Sequence, residues 1–99
     1  MHNRTKATAI TPKVRQAVEE RDGHCCIFCG QIGRGEGHFI KRSQGGLGIE
    51  QNIVTVCRAC HHQMDDGFAR ELYLIKAESY LKRLYPDWDK ANLVYKKGL

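Results

Sequence analysis

The sequence has no run of 18 apolar residues, so it offers no candidate for a membrane-spanning helix. The N-terminal stretch MHNRTKATAITPK is basic and polar and lacks the apolar core of a secretory signal. Two prolines against ten glycines argue for tight turns and against a rigid linker; there is also no low-complexity segment. Acidic side chains are the minority. Eleven Asp and Glu against 16 Lys and Arg leave a formal net charge of +5, which favours a polyanionic partner, nucleic acid first. With 99 residues the chain has room for one modest core, and domains of this size often need a disulfide set or a metal ion to hold them.

Cysteine is what the chain does supply. Cys26-Ile27-Phe28-Cys29 and Cys57-Arg58-Ala59-Cys60 are two C-x-x-C knuckles, with Cys25 left over. Two knuckles can close a tetrahedral four-sulfur zinc site. The 27 residues between Cys29 and Cys57 exceed a zinc-ribbon gap, so an insertion such as a hairpin is expected there. A secreted disulfide framework fits poorly with an odd cysteine count and no signal, and a redox C-x-x-C needs only one copy. Cys25 reads as a small buried filler or as a competitor of Cys26 for the ion.

Along the chain, residues 1–10 read as a flexible basic arm and residues 11–99 as one domain, with a motif core over 24–67 and a helical extension over 68–99. Thr11-Pro12 is a helix start, with Val14, Ala17 and Val18 as its loose apolar stripe, and Asp22-Gly23 is its stop. Gly30 to Gly37 reads as loop, His38-Phe39-Ile40 as a short strand, and Ser43 to Gly48 as loop again. Ile53-Val54-Thr55-Val56 is a β-branched strand leading into Cys57. A helix is expected from near Arg58 to Gly67. Another is expected over about Ala69 to Leu84, with Leu72, Ile75, Leu81 and Leu84 as its apolar face. Trp88, Leu93 and Tyr95 in the tail are expected to fold back on the core.

A helix starting near Arg58 sets His61 and Asp65 one turn apart, so both can face one ion. Cys60 and His61 are neighbours and face about 100° apart on a helix. The sulfur site and a histidine site should therefore be separate. His62 and Asp66 form a competing pair on the adjoining face.

The stretches RDGHCCIFCG and GHFIKRSQGGLGIEQNIVTVCRACHHQMDDG resemble the phage-associated, zinc-knuckle branch of the HNH endonucleases, over about Val14 to Gly67. The resemblance implies an α+β fold: a small treble-clef-like ββα-metal domain with a four-cysteine zinc site and flanking helices. It implies a metal-dependent DNA endonuclease or nicking enzyme. His38 would be the general base, Asn52 the residue that holds the loop, His61 a ligand of the catalytic ion, and Asp65 a second helical ligand. Cys26, Cys29, Cys57 and Cys60 would hold a structural Zn2+. The catalytic ion could be Mg2+, Mn2+, Ni2+ or Zn2+, because a His/carboxylate site does not discriminate by softness. A non-catalytic zinc-stabilised nucleic-acid-binding module is the alternative.

One position departs from the family pattern. An ion ligand often precedes the base, and here that position is Gly37. Glu36 could replace it only if a local bulge aimed it at the ion. Lys41, Arg42 and Arg58 flank the proposed site as candidate phosphate contacts, with Arg42 alternatively bonding within its loop. Arg4, Lys6, Lys13 and Arg15 could grip a backbone or simply be solvated. The expected partner is DNA, with phage terminase or packaging proteins implied by resemblance. The protein is expected to act as a monomer or weak dimer in the cytoplasm of a bacterium or phage-infected host, with no membrane association.

Overall fold

The computed structural model describes residues 3–96. Helix α1 spans Asn3–Thr8 and α2 spans Pro12–Arg21. Within the stretch expected as a basic arm, Asn3–Thr8 is thus helical, while Met1 and His2 lie outside the described residues. The reason is local and tertiary together. The Thr8 hydroxyl bonds back to the Arg4 carbonyl at 2.8 Å, Gly48 N–H donates to the Ala7 carbonyl at 3.1 Å, and Thr8 is buried. Helix α2 begins as its residues dictate: the Thr11 hydroxyl accepts from Val14 N–H, and Pro12 opens the first turn.

Strand β1 is Arg34–His38, and β2 is Ile53–Val56; they pair antiparallel. The expected loop over Gly30 to Gly37 thus contains a strand, and Phe39-Ile40 falls outside it. Gly30 does turn the chain, at φ 81°, but Gly35 and Gly37 mislead because they permit close approach, not turning. A Cβ at Gly35 would lie 2.9 Å from the Arg15 carbonyl oxygen of α2, and one at Gly37 would lie 2.8 Å from the Met64 methyl. These neighbours are on opposite faces of the sheet, although residues two apart in a regular strand share a face. The register explains it. Gly35 opposes Thr55 and Gly37 opposes Val54, so Glu36 is the extra residue of a β-bulge.

Strand β2 is buried along its whole length. Its Thr55 faces α2, with its hydroxyl 3.4 Å from the Val18 carbonyl, while Val54 and Val56 pack towards Met64. Cys57 follows β2 directly and caps helix α3, Arg58–Asp66, its Sγ accepting from Cys60 N–H. Helix α4 is Arg70–Leu84. Its expected apolar face needs correction: Leu72 and Ile75 are 62% and 64% exposed, and Leu84 is exposed too. The buried face runs through Tyr73, Ala77, Tyr80 and Leu81, with Leu74 packed beside it, so of the expected residues only Leu81 faces the core. Tyr73 meets Phe28 edge-on at 4.8 Å.

The tail does fold back. Leu93 is buried, Trp88 packs edge-on against Phe39 and donates to the Gln51 carbonyl at 2.7 Å, and Tyr95 N–H donates to the Gly45 carbonyl. Helices at both ends flank the small antiparallel pair, and four cysteines cluster beside the junction of β2 and α3. This is the expected α+β, ββα-metal, treble-clef-like arrangement. No helix among the described residues is long and apolar enough to cross a membrane.

Candidate metal centre and the adjoining histidine cleft

The chain turn after α2 carries Cys26 and Cys29, and the start of α3 carries Cys57 and Cys60. Their sulfurs all lie within 4.8 Å of one another, with Cys29 and Cys57 at 3.6 Å. A tetrahedron with metal–sulfur bonds of about 2.3 Å has edges of about 3.8 Å. The donor set therefore fits one zinc-type ion. No cysteine is in a disulfide, and Cys25 stays outside the cluster, half-buried in a bridge with Ile32. The Cys60 N–H bond draws the Cys57 thiol down to about 7, whereas burial pushes Cys60 up to about 12. The four cysteines are the one group among the described residues whose ligand atoms converge this tightly.

Cys60 is buried and His61, beside it, is half-exposed and faces elsewhere. A separate cleft of about 230 Å³ is lined by His38, Lys41, Arg42, Ser43, His61, Asp65 and Asp66. Another groove, about 350 Å³ around Gln51, Trp88 and Leu93, holds no histidine or cysteine and offers none of this chemistry. His61 sits between two carboxylates, with Glu36 3.7 Å from Nδ1 and Asp65 3.2 Å from Nε2. The bulge is what brings Glu36 there. Position 37, in contrast, faces the packed core, so an acidic residue at 37 on this backbone would meet Met64. His62 is exposed and does not line the cleft, while Asp66 does, 3.5 Å from Lys41.

His38 projects from the end of β1 with Nε2 3.0 Å from the Thr8 carbonyl oxygen. A carbonyl only accepts, so Nε2 carries the proton and Nδ1 keeps its lone pair. Burial holds this imidazole below its ordinary 6.5, the Thr8 bond partly opposing and the nearby Arg42 charge reinforcing. Asn52 is fully buried. Its amide donates to the carbonyls of Ile40 and Leu47 and accepts from Ile40 N–H, so it ties both ends of the loop that carries Lys41 and Arg42. Arg42 is not free in that loop. Its Nε donates to the Thr8 hydroxyl at 3.1 Å and its Nη2 to the Thr5 carbonyl at 3.0 Å. Arg58 is exposed at the start of α3 and does not line the cleft. Thr8 is the residue that sequence reasoning missed. It acts through a backbone carbonyl, which no side-chain motif records.

Among known proteins, no family model matches the chain and no solved structure does. It is 30% identical to anaredoxin of Nostoc sp. over 57 residues, 56% of this chain and 75% of that protein. The chain belongs to the anaredoxin family. That membership names no nuclease, and the HNH resemblance rests on the motif residues alone. The geometry supports a compact metal-binding domain with a four-cysteine zinc-type centre.

Proposed function

We propose that this domain is a metal-dependent DNA nuclease that nicks a phosphodiester backbone in the cleft between β1 and α3. The observation that carries the reading is the meeting of His38, His61 and Asp65 in one cleft, beside but separate from the sulfur cluster. His38 is the general base. Its Nδ1 lone pair takes the proton of the attacking water, and the Thr8 carbonyl holds the ring in that tautomer. Asn52 keeps the loop in place. His61, with Glu36 and Asp65 on its two nitrogens, offers a divalent-ion site in which one nitrogen coordinates and the carboxylate on the other side orients the ring. An ion bound there would supply charge stabilisation to the phosphate and to the departing 3′ oxygen. One centre meets one phosphate at a time, so a monomer nicks a single strand.

The test is supercoiled plasmid incubated with the zinc-loaded protein, with and without added magnesium, manganese or nickel. Ion-dependent nicking is expected, with His38→Ala slower by about 10²- to 10⁴-fold. Nicking that His38→Ala leaves untouched removes the assignment. In the same assay Glu36→Ala is expected to raise the ion concentration needed for half-maximal nicking by about 10- to 100-fold. An unchanged ion requirement would show that the bulge has no metal-binding role.

A non-catalytic nucleic-acid-binding module is the second reading. It is favoured by the fact that only the sulfur cluster, among the described residues, has tightly converging ligand atoms. DNA retarded without nicking is its signature. The name of the Nostoc relative is that of a redoxin, and a four-sulfur tetrahedron also suits a single iron. Metal analysis of the purified protein separates that case: zinc supports a structural centre, and a coloured, reducible iron supports electron transfer.

A further inference from the structure

The cleft does not end at Ser43. Arg42 and Ser43 also line a second, shallower depression of about 550 Å³, completed by Arg4, Thr5 and Thr8 of α1. Two guanidinium groups face this hollow, and both are held by neutral acceptors. Arg4 Nη2 donates to the Ser43 carbonyl at 2.8 Å, and Arg42 is held by Thr5 and Thr8. Neither arginine has a carboxylate within ion-pair distance among the described residues. Arg21 shows the contrast, since its charge is consumed by the adjoining Asp22 at 2.8 Å. A guanidinium has five N–H donors, and these bonds use one on Arg4 and two on Arg42. Two fixed cations with spare donors and no counter-charge repel each other unless an anion sits between them.

We infer that Arg4 and Arg42 form a phosphate subsite of the nucleic-acid strand, next to the phosphate held in the histidine cleft. The N-terminal helix is then part of the DNA-binding surface, and Arg42 spans both positions. This inference rests on the proposed DNA reading of the cleft. Its occupant is the phosphate backbone of a DNA strand, because two guanidiniums without a counter-charge among the described residues, beside threonine and serine hydroxyls, match phosphate oxygens present in any sequence.

The test measures binding of a fluorescent duplex of roughly 20 base pairs to zinc-loaded His38→Ala protein, which removes cleavage from the readout. Affinity is followed from about 50 to about 200 mM salt. Adding Arg4→Gln is expected to make the slope of log affinity against log salt shallower by about 1. The salt-induced loss over that range then shrinks by about 3.5-fold. Arg83→Gln, at an exposed position of α4, is the control for net charge and should leave the slope unaltered. An unchanged slope in Arg4→Gln, or the same change in Arg83→Gln, overturns the subsite. No duplex binding at all overturns both the subsite and the DNA reading. If the wild-type protein never nicks but Arg4→Gln flattens the slope, the subsite stands and the nuclease reading falls.

Discussion

Stripping the metal from the four-cysteine centre is expected to unfold the domain, not merely loosen it. Structural zinc in small domains supplies about 10 to 16 kcal/mol of apparent folding free energy. The whole stability of a domain is about 5 to 15 kcal/mol. Here the ion would join the turn after α2 to the first turn of α3, and no disulfide backs up that link. Cys57 also caps α3, so losing the cluster frees a helix end as well. A strong chelator, with metal removal verified by elemental analysis, should abolish the helical circular dichroism signal cooperatively, and returning zinc should restore it. Cys60→Ser should behave like the chelated protein. A metal-free protein with an unchanged spectrum and denaturation midpoint would show that the apolar core suffices alone. Acid acts in the same direction, because protons compete with the ion for the thiolates.

Asp22→Ala is expected to cost about 3 to 5 kcal/mol, through a different device. The Asp22 side chain is fully buried. It accepts from Arg21 Nε and Nη2 at 2.8 and 3.0 Å, from Thr55 N–H at 2.9 Å, and from the Tyr80 hydroxyl. Arg21 in turn donates to the carbonyls of Glu50 and Ile53 and to the Tyr85 hydroxyl. The pair thereby ties the end of α2 to β2, to the turn before it and to α4. Removing the carboxylate leaves a largely buried guanidinium without its counter-charge, and that is the source of the cost. Replacing both partners, as in Arg21→Met with Asp22→Ala, should recover part of the loss. Urea denaturation of the three proteins checks this; a single variant within about 0.5 kcal/mol of wild type would mean that water or relaxation compensates the charge.

The pH dependence follows in sign. Burial works against the ionised Asp22, but the bonds from Arg21, Tyr80 and Thr55 outweigh it and hold its carboxyl below the ordinary 3.8. A depressed folded value means that the unfolded chain binds the proton more readily between the two values. The contribution is therefore complete above about pH 4 and is lost as the pH falls through the folded value. In Asp22→Ala that part of the acid sensitivity should vanish.

Much of the local architecture could be read from the chain. Thr11-Pro12 starts α2, Cys57 stands where α3 begins, and the two C-x-x-C spacings gather their sulfurs, because each depends on residues a few positions apart. Spacing on one helix turn also places Asp65 against His61. Misread segments are those where the partner is distant in sequence. The glycines of β1 suggested a loop, since nothing in RGEGH says that α2 and Met64 press against its two faces. Leu72 and Ile75 suggested a core that Tyr73, Ala77 and Tyr80 occupy instead, because apolar identity alone does not fix which face of α4 has room for what. The arm became a helix with a docking site only once Gly48 and Arg42 were there to bond it.

The histidine cleft divides along the same line. The sequence alone determined which side chains could do the chemistry, and that sulfur and imidazole would face apart on α3, since both follow from covalent order and helical pitch. Tertiary structure alone decided that Glu36 is bulged towards His61, that position 37 points into the core, and that a carbonyl 30 residues away fixes the His38 tautomer. Those outcomes depend on how separate elements pack, and packing is a property of surfaces brought together, not of neighbours along the chain.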